Sequence, residues 1–134
     1  MRVMIDTNII ISAIRNPNGT PFAAYAKAAQ PPYKIVLCDQ IIDEVRKVFN
    51  RKFPDSVSLI ERFFTWALFE VVSTPGEDKR AETEDMIRDV KDRPILRAAL
   101  VSKVDVLITG DKDFLDSGVK NPQIVTAAEF MSHF

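Results

Sequence analysis

The chain has 134 residues, 46% of them apolar and 28% charged, with 18 Lys and Arg against 19 Asp and Glu. A chain of this length buries about two-thirds of its unfolded surface, so one domain over residues 1–134 is expected, and the composition excludes a disordered or low-complexity polymer. The longest nearly apolar stretch, residues 63–72, contains Thr65 and Glu70 and is too short for the roughly 20 residues that cross a bilayer; Asp6 arrives before a signal-peptide core could form, so a cytoplasmic protein with no membrane partner is expected.

In chain order, residues 2–5 are apolar and end at Asp6, the pattern of a short buried strand, and residues 8–14 continue as a short helix. Asn16-Pro17-Asn18-Gly19 is a turn signal. Thr20 is expected to cap a helix with Pro21 at its first position and Pro31-Pro32 as its stop. Residues 35–38 make a second strand. Asp39 is then expected to cap a helix over 40–49, whose apolar stripe is Ile41, Ile42, Val45, Val48 and Phe49, with Glu44 off the stripe's centre. Ser58 and Glu61 have capping-box spacing before an aromatic-rich helix carrying Leu59, Phe63, Trp66 and Leu68. A third strand is expected over 70–73, then a polar loop or frayed helix over 74–85. A helix over 94–101, a strand over 104–109, a loop with room for one helical turn over 110–118 and a strand over 123–125 follow. Thr126-Ala127-Ala128-Glu129 opens the last helix as a capping box.

Short β-branched runs alternating with helices predict an α/β protein with a parallel sheet covered on both faces. Such sheets bind ligands outside the carboxyl ends of their strands. Several chemistries fail on residue types. One cysteine, Cys38, and one histidine, His133, supply neither a disulfide nor a structural zinc site, and His133 is badly placed as a catalytic base. The four glycines, Gly19, Gly76, Gly110 and Gly118, cannot form the G-x-G-x-x-G loop of a dinucleotide site. A phosphatase built on Asp6 would need a second Asp two residues on, where Asn8 stands.

What remains is acidic. Asp6 ends the first strand and Asp111 follows the strand over 104–109; Glu44 lies one turn into the helix after the second strand, and Asp92 opens the helix leading to the fourth. Each alone could be a helix cap or a solvated side chain. Together they would crowd like charges into one crevice, which a divalent cation relieves. Oxygen donors without His or Cys select a hard ion, Mg²⁺ or Mn²⁺, suited to phosphodiester cleavage. With those four acids neutralised the rest of the chain is net positive. Arg15, Arg46, Lys47, Arg51, Lys52, Arg93 and Lys112 flank the proposed edge, Arg15 and Lys112 being the candidate RNA contacts.

Val3-Met4-Ile5-Asp6-Thr7-Asn8, Ile42-Asp43-Glu44-Val45, Asp92-Arg93-Pro94-Ile95-Leu96-Arg97-Ala98-Ala99 and Leu107-Ile108-Thr109-Gly110-Asp111-Lys112-Asp113-Phe114 resemble the four acidic motifs of the PIN-domain family. The likeness runs from Met1 to about Phe130 and is greatest to the branch of VapC-like toxins of prokaryotic toxin–antitoxin pairs. It implies a three-layer α/β/α fold around a parallel sheet of four or five strands, and Mg²⁺- or Mn²⁺-dependent endoribonuclease activity restrained by an antitoxin protein. By position, Asp6, Glu44, Asp92 and Asp111 match the family's acidic quartet, and Asn8, Thr109 and Asp113 match supporting neighbours. Asp89 competes with Asp92 as the third acid; Ile95, Ala98 and Ala99 favour Asp92, although Arg93-Pro94 replaces the acid or small residue frequent there. The alternative is a catalytically weak PIN-like module that binds RNA or a protein, which a metal titration separates from the nuclease. Phe63, Phe64, Trp66 and Phe69 fall on more than one side of a helix, from which a homodimer is expected.

Overall fold

Five short runs of apolar residues become the strands of one parallel sheet: β1 (Arg2–Ile5), β2 (Lys34–Cys38), β3 (Glu70–Val72), β4 (Val106–Ile108) and β5 (Gln123–Val125). The computed structural model describes residues 1–134 with the exception of the Trp66 side chain, so the part of the expected dimer face resting on Trp66 lies outside the described residues. The strand order is β3-β2-β1-β4-β5, with Met4 beside Val36 on one side and Leu107 on the other. Burial explains the composition of the strands. Val3, Met4, Ile5, Val36, Leu37, Leu107 and Ile108 are wholly excluded from solvent, as expected for strands covered on both faces.

The helices are α1 (Thr7–Arg15), α2 (Thr20–Ala28), α3 (Asp39–Lys52), α4 (Val57–Trp66), α5 (Arg93–Val101), α6 (Lys112–Leu115) and α7 (Ala127–His133). They flank the sheet to give the expected three-layer α/β/α fold, with five strands. Helix α1 packs on α2, α3 and α4, and α2 packs on α7. Helix α3 buries Ile41, Val45 and Phe49 at helical spacing; truncating Phe49 to Ala would cost ~3–5 kcal/mol. No described helix is long and apolar enough to cross a membrane.

Three expected caps are displaced. Gly19, not Thr20, precedes α2, because the turn over 16–19 closes through the Gly19 amide on the Asn16 carbonyl and the helix starts at once. Asp39 is the first residue of α3 rather than its cap; its carboxylate accepts from the Thr74 amide at 2.8 Å and from the Thr74 hydroxyl, a tertiary tie that takes the oxygen away from the helix end. Ser58 lies inside α4, since a 3-10 turn at Pro54–Ser56 leads directly into the helix and no capping bond forms at Ser56. Leu68 lies past the end of that helix and is 79% exposed. By contrast, the Thr126–Glu129 capping box forms reciprocally.

Residues 74–92 adopt three 3-10 turns, Glu77–Lys79, Glu82–Met86 and Val90–Asp92. A buried ion pair ties the second of them to α5. Arg97, 4% exposed, donates from Nη2 and Nε to the two oxygens of the fully buried Glu84 at 2.7 and 3.1 Å, and from Nη1 to the Pro75 carbonyl at 3.1 Å. The Ala81 amide donates to the same carboxylate at 2.7 Å.

Candidate functional site

The chain runs from central β1 outward through β2 and β3, then returns to place β4 on the other side of β1. The crevice beyond β1 and β4 is therefore the switch point at which parallel sheets bind ligands. Two residues mark it. The Asp6 amide donates to the Ile108 carbonyl at 2.9 Å, setting Asp6 beside Thr109 just past the two strand ends.

A cleft of about 420 Å³ opens there, and Asp6, Glu44, Asp92 and Asp111 all line it. Asp6 is buried at the N-cap of α1, where one oxygen accepts the Thr7 amide at 2.8 Å and the other accepts the Thr109 hydroxyl at 2.7 Å. Glu44 reaches in from the side of α3, its oxygens held by the Thr7 hydroxyl at 2.8 Å and Gln40 Nε2 at 2.9 Å. Asp111 caps the single turn of α6, accepting the Asp113 amide at 2.9 Å, while its own amide donates to Thr109 Oγ1 at 3.0 Å. Asp92 precedes α5 but makes no capping bond, and no donor among the described residues reaches its buried Oδ2.

The electrostatics follow from this crowding. Burial, opposed by the Thr109 and Thr7 hydrogen bonds and aided by Glu44 and Asp111, pushes the Asp6 carboxyl up to about 6. Burial and the adjoining carboxyl of Asp111, with Asp6 and Asp89 behind, push Asp92 up to about 8. The site favours added positive charge, in the form of protons or a cation.

The remaining candidates separate. Asn8 Oδ1 lies within 3.5 Å of the Gly110 amide at the cleft edge. Asp89 is exposed and caps the 3-10 turn at Val90–Asp92, leaving Asp92 as the one of the two that lines the cleft. One oxygen each of Asp89, Asp92 and Asp113 nevertheless lie within 4.8 Å of one another, and Asp113 pairs with Arg88 at 2.5 Å. Lys112 lies in a separate hollow with Arg88 and Asp116. Arg15 stands over the ring of Phe53, a cleft residue, at 3.9 Å from its centroid. Arg46 is engaged away from the cleft with Glu61, and Arg93 donates to the Ile87 carbonyl.

Ile11, Ser12, Val48, Lys52 and Phe53 also line the cleft; the sequence places Lys52 among the basic residues flanking the edge, but sequence reasoning did not assign Ile11, Ser12, Val48 and Phe53 to it. A signal was present: Glu44, Val48 and Lys52 are four residues apart, hence on one face of a helix. It was obscured because the expected helix stopped at Phe49, whereas α3 continues to Lys52.

An α/β protein with an oxygen-only acidic crevice at the switch point of its parallel sheet is thus defined. The chain belongs to the PIN domain family, whose model matches residues 2–113. Among curated proteins no sequence match is found. Among solved structures, the chain is similar to VapBC2 from Rickettsia felis bound to a DNA fragment from its promoter, with a TM-score of 0.69 and 18% identity over 93% of this chain and 97% of that one. It is also similar to Mycobacterium tuberculosis VapC20, a Sarcin-Ricin loop cleaving toxin, with a TM-score of 0.62 and 15% identity over 87% of this chain and 95% of that one. At these identities the likeness is one of fold.

Proposed function

We propose that the protein is a metal-dependent endoribonuclease and the toxin of a toxin–antitoxin pair. The observation that carries this reading is the convergence of Asp6, Glu44, Asp92 and Asp111 on one cleft, with an orphaned Asp92 oxygen and two carboxyls driven toward protonation. Those residues suit Mg²⁺ or Mn²⁺, because the donors are all oxygens and the excess negative charge has no cationic side chain at its centre. When bound, such an ion supplies activation of water and charge stabilisation in phosphodiester cleavage.

The chain's own residues then have distinct tasks. Thr109 and the Thr7 amide orient Asp6, the Thr7 hydroxyl and Gln40 orient Glu44, and Asn8 borders the Gly110 loop. Lys52 and Arg15 offer positive charge to an RNA backbone at one end of the cleft, with Lys112 beyond the other acids. Membership of the PIN domain family and the likeness to VapBC2 and VapC20 support an antitoxin partner and RNA as substrate. A homodimer and a cytoplasmic location complete the reading.

The test is a calorimetric Mn²⁺ titration alongside cleavage of single-stranded RNA. Saturable Mn²⁺ binding and Mn²⁺-dependent cleavage are expected, with cleavage abolished in Asp6→Asn and Mn²⁺ binding weakened but still saturable through Glu44, Asp92 and Asp111. RNA binding without metal binding or cleavage would instead establish the catalytically weak binding module.

A further inference from the structure

The cleft is chemically lopsided. Its carboxylates come from Asp6, Glu44, Asp92 and Asp111, and its lining also takes in Ile11, Val48, Lys52 and Phe53, of which Val48, Lys52 and Phe53 lie together at the end of α3. Phe53 ends α3, its amide bonded to the Phe49 carbonyl at 2.8 Å and its ring set edge-on against the buried Phe49 ring at 5.4 Å between centroids. The ring is thereby fixed. Arg15, in the last turn of α1, lays its guanidinium over that ring at 3.9 Å from the centroid, yet is itself exposed and makes no ion pair among the described residues. A guanidinium backed by an aromatic ring keeps its opposite face free, and that face is planar, cationic and weakly hydrated. Lys52, next in sequence to Phe53, adds an exposed ammonium on the same rim.

We propose that Arg15, Phe53 and Lys52 form a nucleotide subsite, in which one unpaired base of the RNA strand stacks on the Arg15–Phe53 pair and an adjoining phosphate sits on Lys52. This rests on the nuclease reading above and fixes where beside the acids an unpaired nucleotide is held. A base held in a duplex has both faces occupied, whereas splayed bases stack readily on aromatic and guanidinium planes. The charge pattern agrees: the acids of the cleft would repel a phosphate until neutralised, and the basic rim draws the strand to their edge.

The experiment uses the full chain carrying Asp6→Asn in Mn²⁺, so that a short single-stranded oligoribonucleotide containing 2-aminopurine binds without being cut. Binding should quench the 2-aminopurine fluorescence. Adding Arg15→Gln or Phe53→Leu should weaken binding about tenfold and abolish the quenching. Arg15→Lys should keep the salt dependence of binding but lose the quenching, and Lys52→Gln should do the reverse; a merely structural role for Arg15 would not separate the two readouts. Circular dichroism confirms that each variant is folded. Unchanged affinity and quenching in Arg15→Gln and Phe53→Leu overturn the subsite, as does equal binding of the same strand annealed to its complement. If the unsubstituted chain cuts RNA while these variants bind like their parent, the subsite alone fails. If it neither cuts nor binds RNA, the nuclease reading fails and takes the subsite with it.

Discussion

The hydroxyl of Thr109 donates to Oδ2 of Asp6 at 2.7 Å, joining the residue after β4 to the residue after β1, and it also accepts the Asp111 amide at 3.0 Å. One side chain therefore sets both acids contributed by the central strands. The hydrogen bond favours the ionised form of Asp6 against the burial that opposes it. Thr109→Val should raise the Asp6 pKa further and leave the Asp111 amide without its acceptor. A 10- to 100-fold loss of Mn²⁺ affinity is expected, of the order that follows removal of a group orienting a metal ligand. The acidic limb of the cleavage profile should shift to higher pH, with Thr109→Ser restoring both. A pH–rate profile of the three proteins checks it.

The raised carboxyls also fix how the metal-free protein responds to pH. Asp6 moves from an ordinary 3.8 to about 6 and Asp92 from 3.8 to about 8, so between these values the folded chain holds more protons than the unfolded one. Stability must then fall as pH rises. Their contribution is whole below the unfolded value and lost as pH passes about 6 for Asp6 and about 8 for Asp92. Melting temperature in EDTA should therefore decline from pH 5 to 8.5, and Mn²⁺ should reverse the decline at the upper end. A flat or rising curve would contradict the crowding of these acids.

Asp6→Asn should separate function from folding. An Asn retains an oxygen for the Thr7 amide while removing one of the clustered charges. Mn²⁺-dependent cleavage should disappear, while the metal-free variant melts at or above the temperature of the parent at pH 7.5. A large loss of stability would make Asp6 a structural cap first and a site residue second.

The Glu84–Arg97 pair calls for the opposite result. Both side chains are buried, so removing one leaves an uncompensated charge in the interior. Arg97→Met should cost ~3–5 kcal/mol, a large part of the ~5–15 kcal/mol that holds a typical domain. The double change Glu84→Leu with Arg97→Met should cost less than the single one. Urea unfolding of the three variants measures this.

That pair also shows where sequence reading stops. The strands were legible because each is a short β-branched run, and the meeting of Asp6 and Asp111 was legible because a parallel sheet gathers whatever follows its strands on one edge; Glu44 and Asp92 reach the same cleft from within α3 and from the start of α5. Glu84 was not: in sequence it is one acid of a polar stretch, and only Arg97, thirteen residues on, gives it a buried partner. The caps at Thr20, Asp39 and Ser58 failed for a related reason. Ser, Thr and Asp advertise a helix start, but the starting residue is set by the preceding turn or by a distant competitor such as Thr74. Phe53 was assigned no place in the cleft because α3 outlasts its apolar stripe by three residues.

Self-association provides the last prediction. Phe63, Phe64 and Phe69 are half-buried and engage one another and Tyr25 at centroid distances of 5.1 to 6.1 Å, so they belong to the rim of the core. Among the described apolar side chains of α4, Leu59 is 43% exposed and, with Phe22, 39% exposed, lines an apolar hollow of about 290 Å³ between α1, α2 and α4. Neighbouring exposed apolar side chains of this kind mark an association surface. A homodimer through this side of α4 would bury them and place two acidic clefts on one assembly. Sedimentation at micromolar concentration should show a dimer, and both Leu59→Glu and Trp66→Glu should shift it to monomer with the circular dichroism spectrum unchanged. A parent protein that sediments as a monomer rules the dimer out, and a dimer that neither substitution separates places the contact on another face.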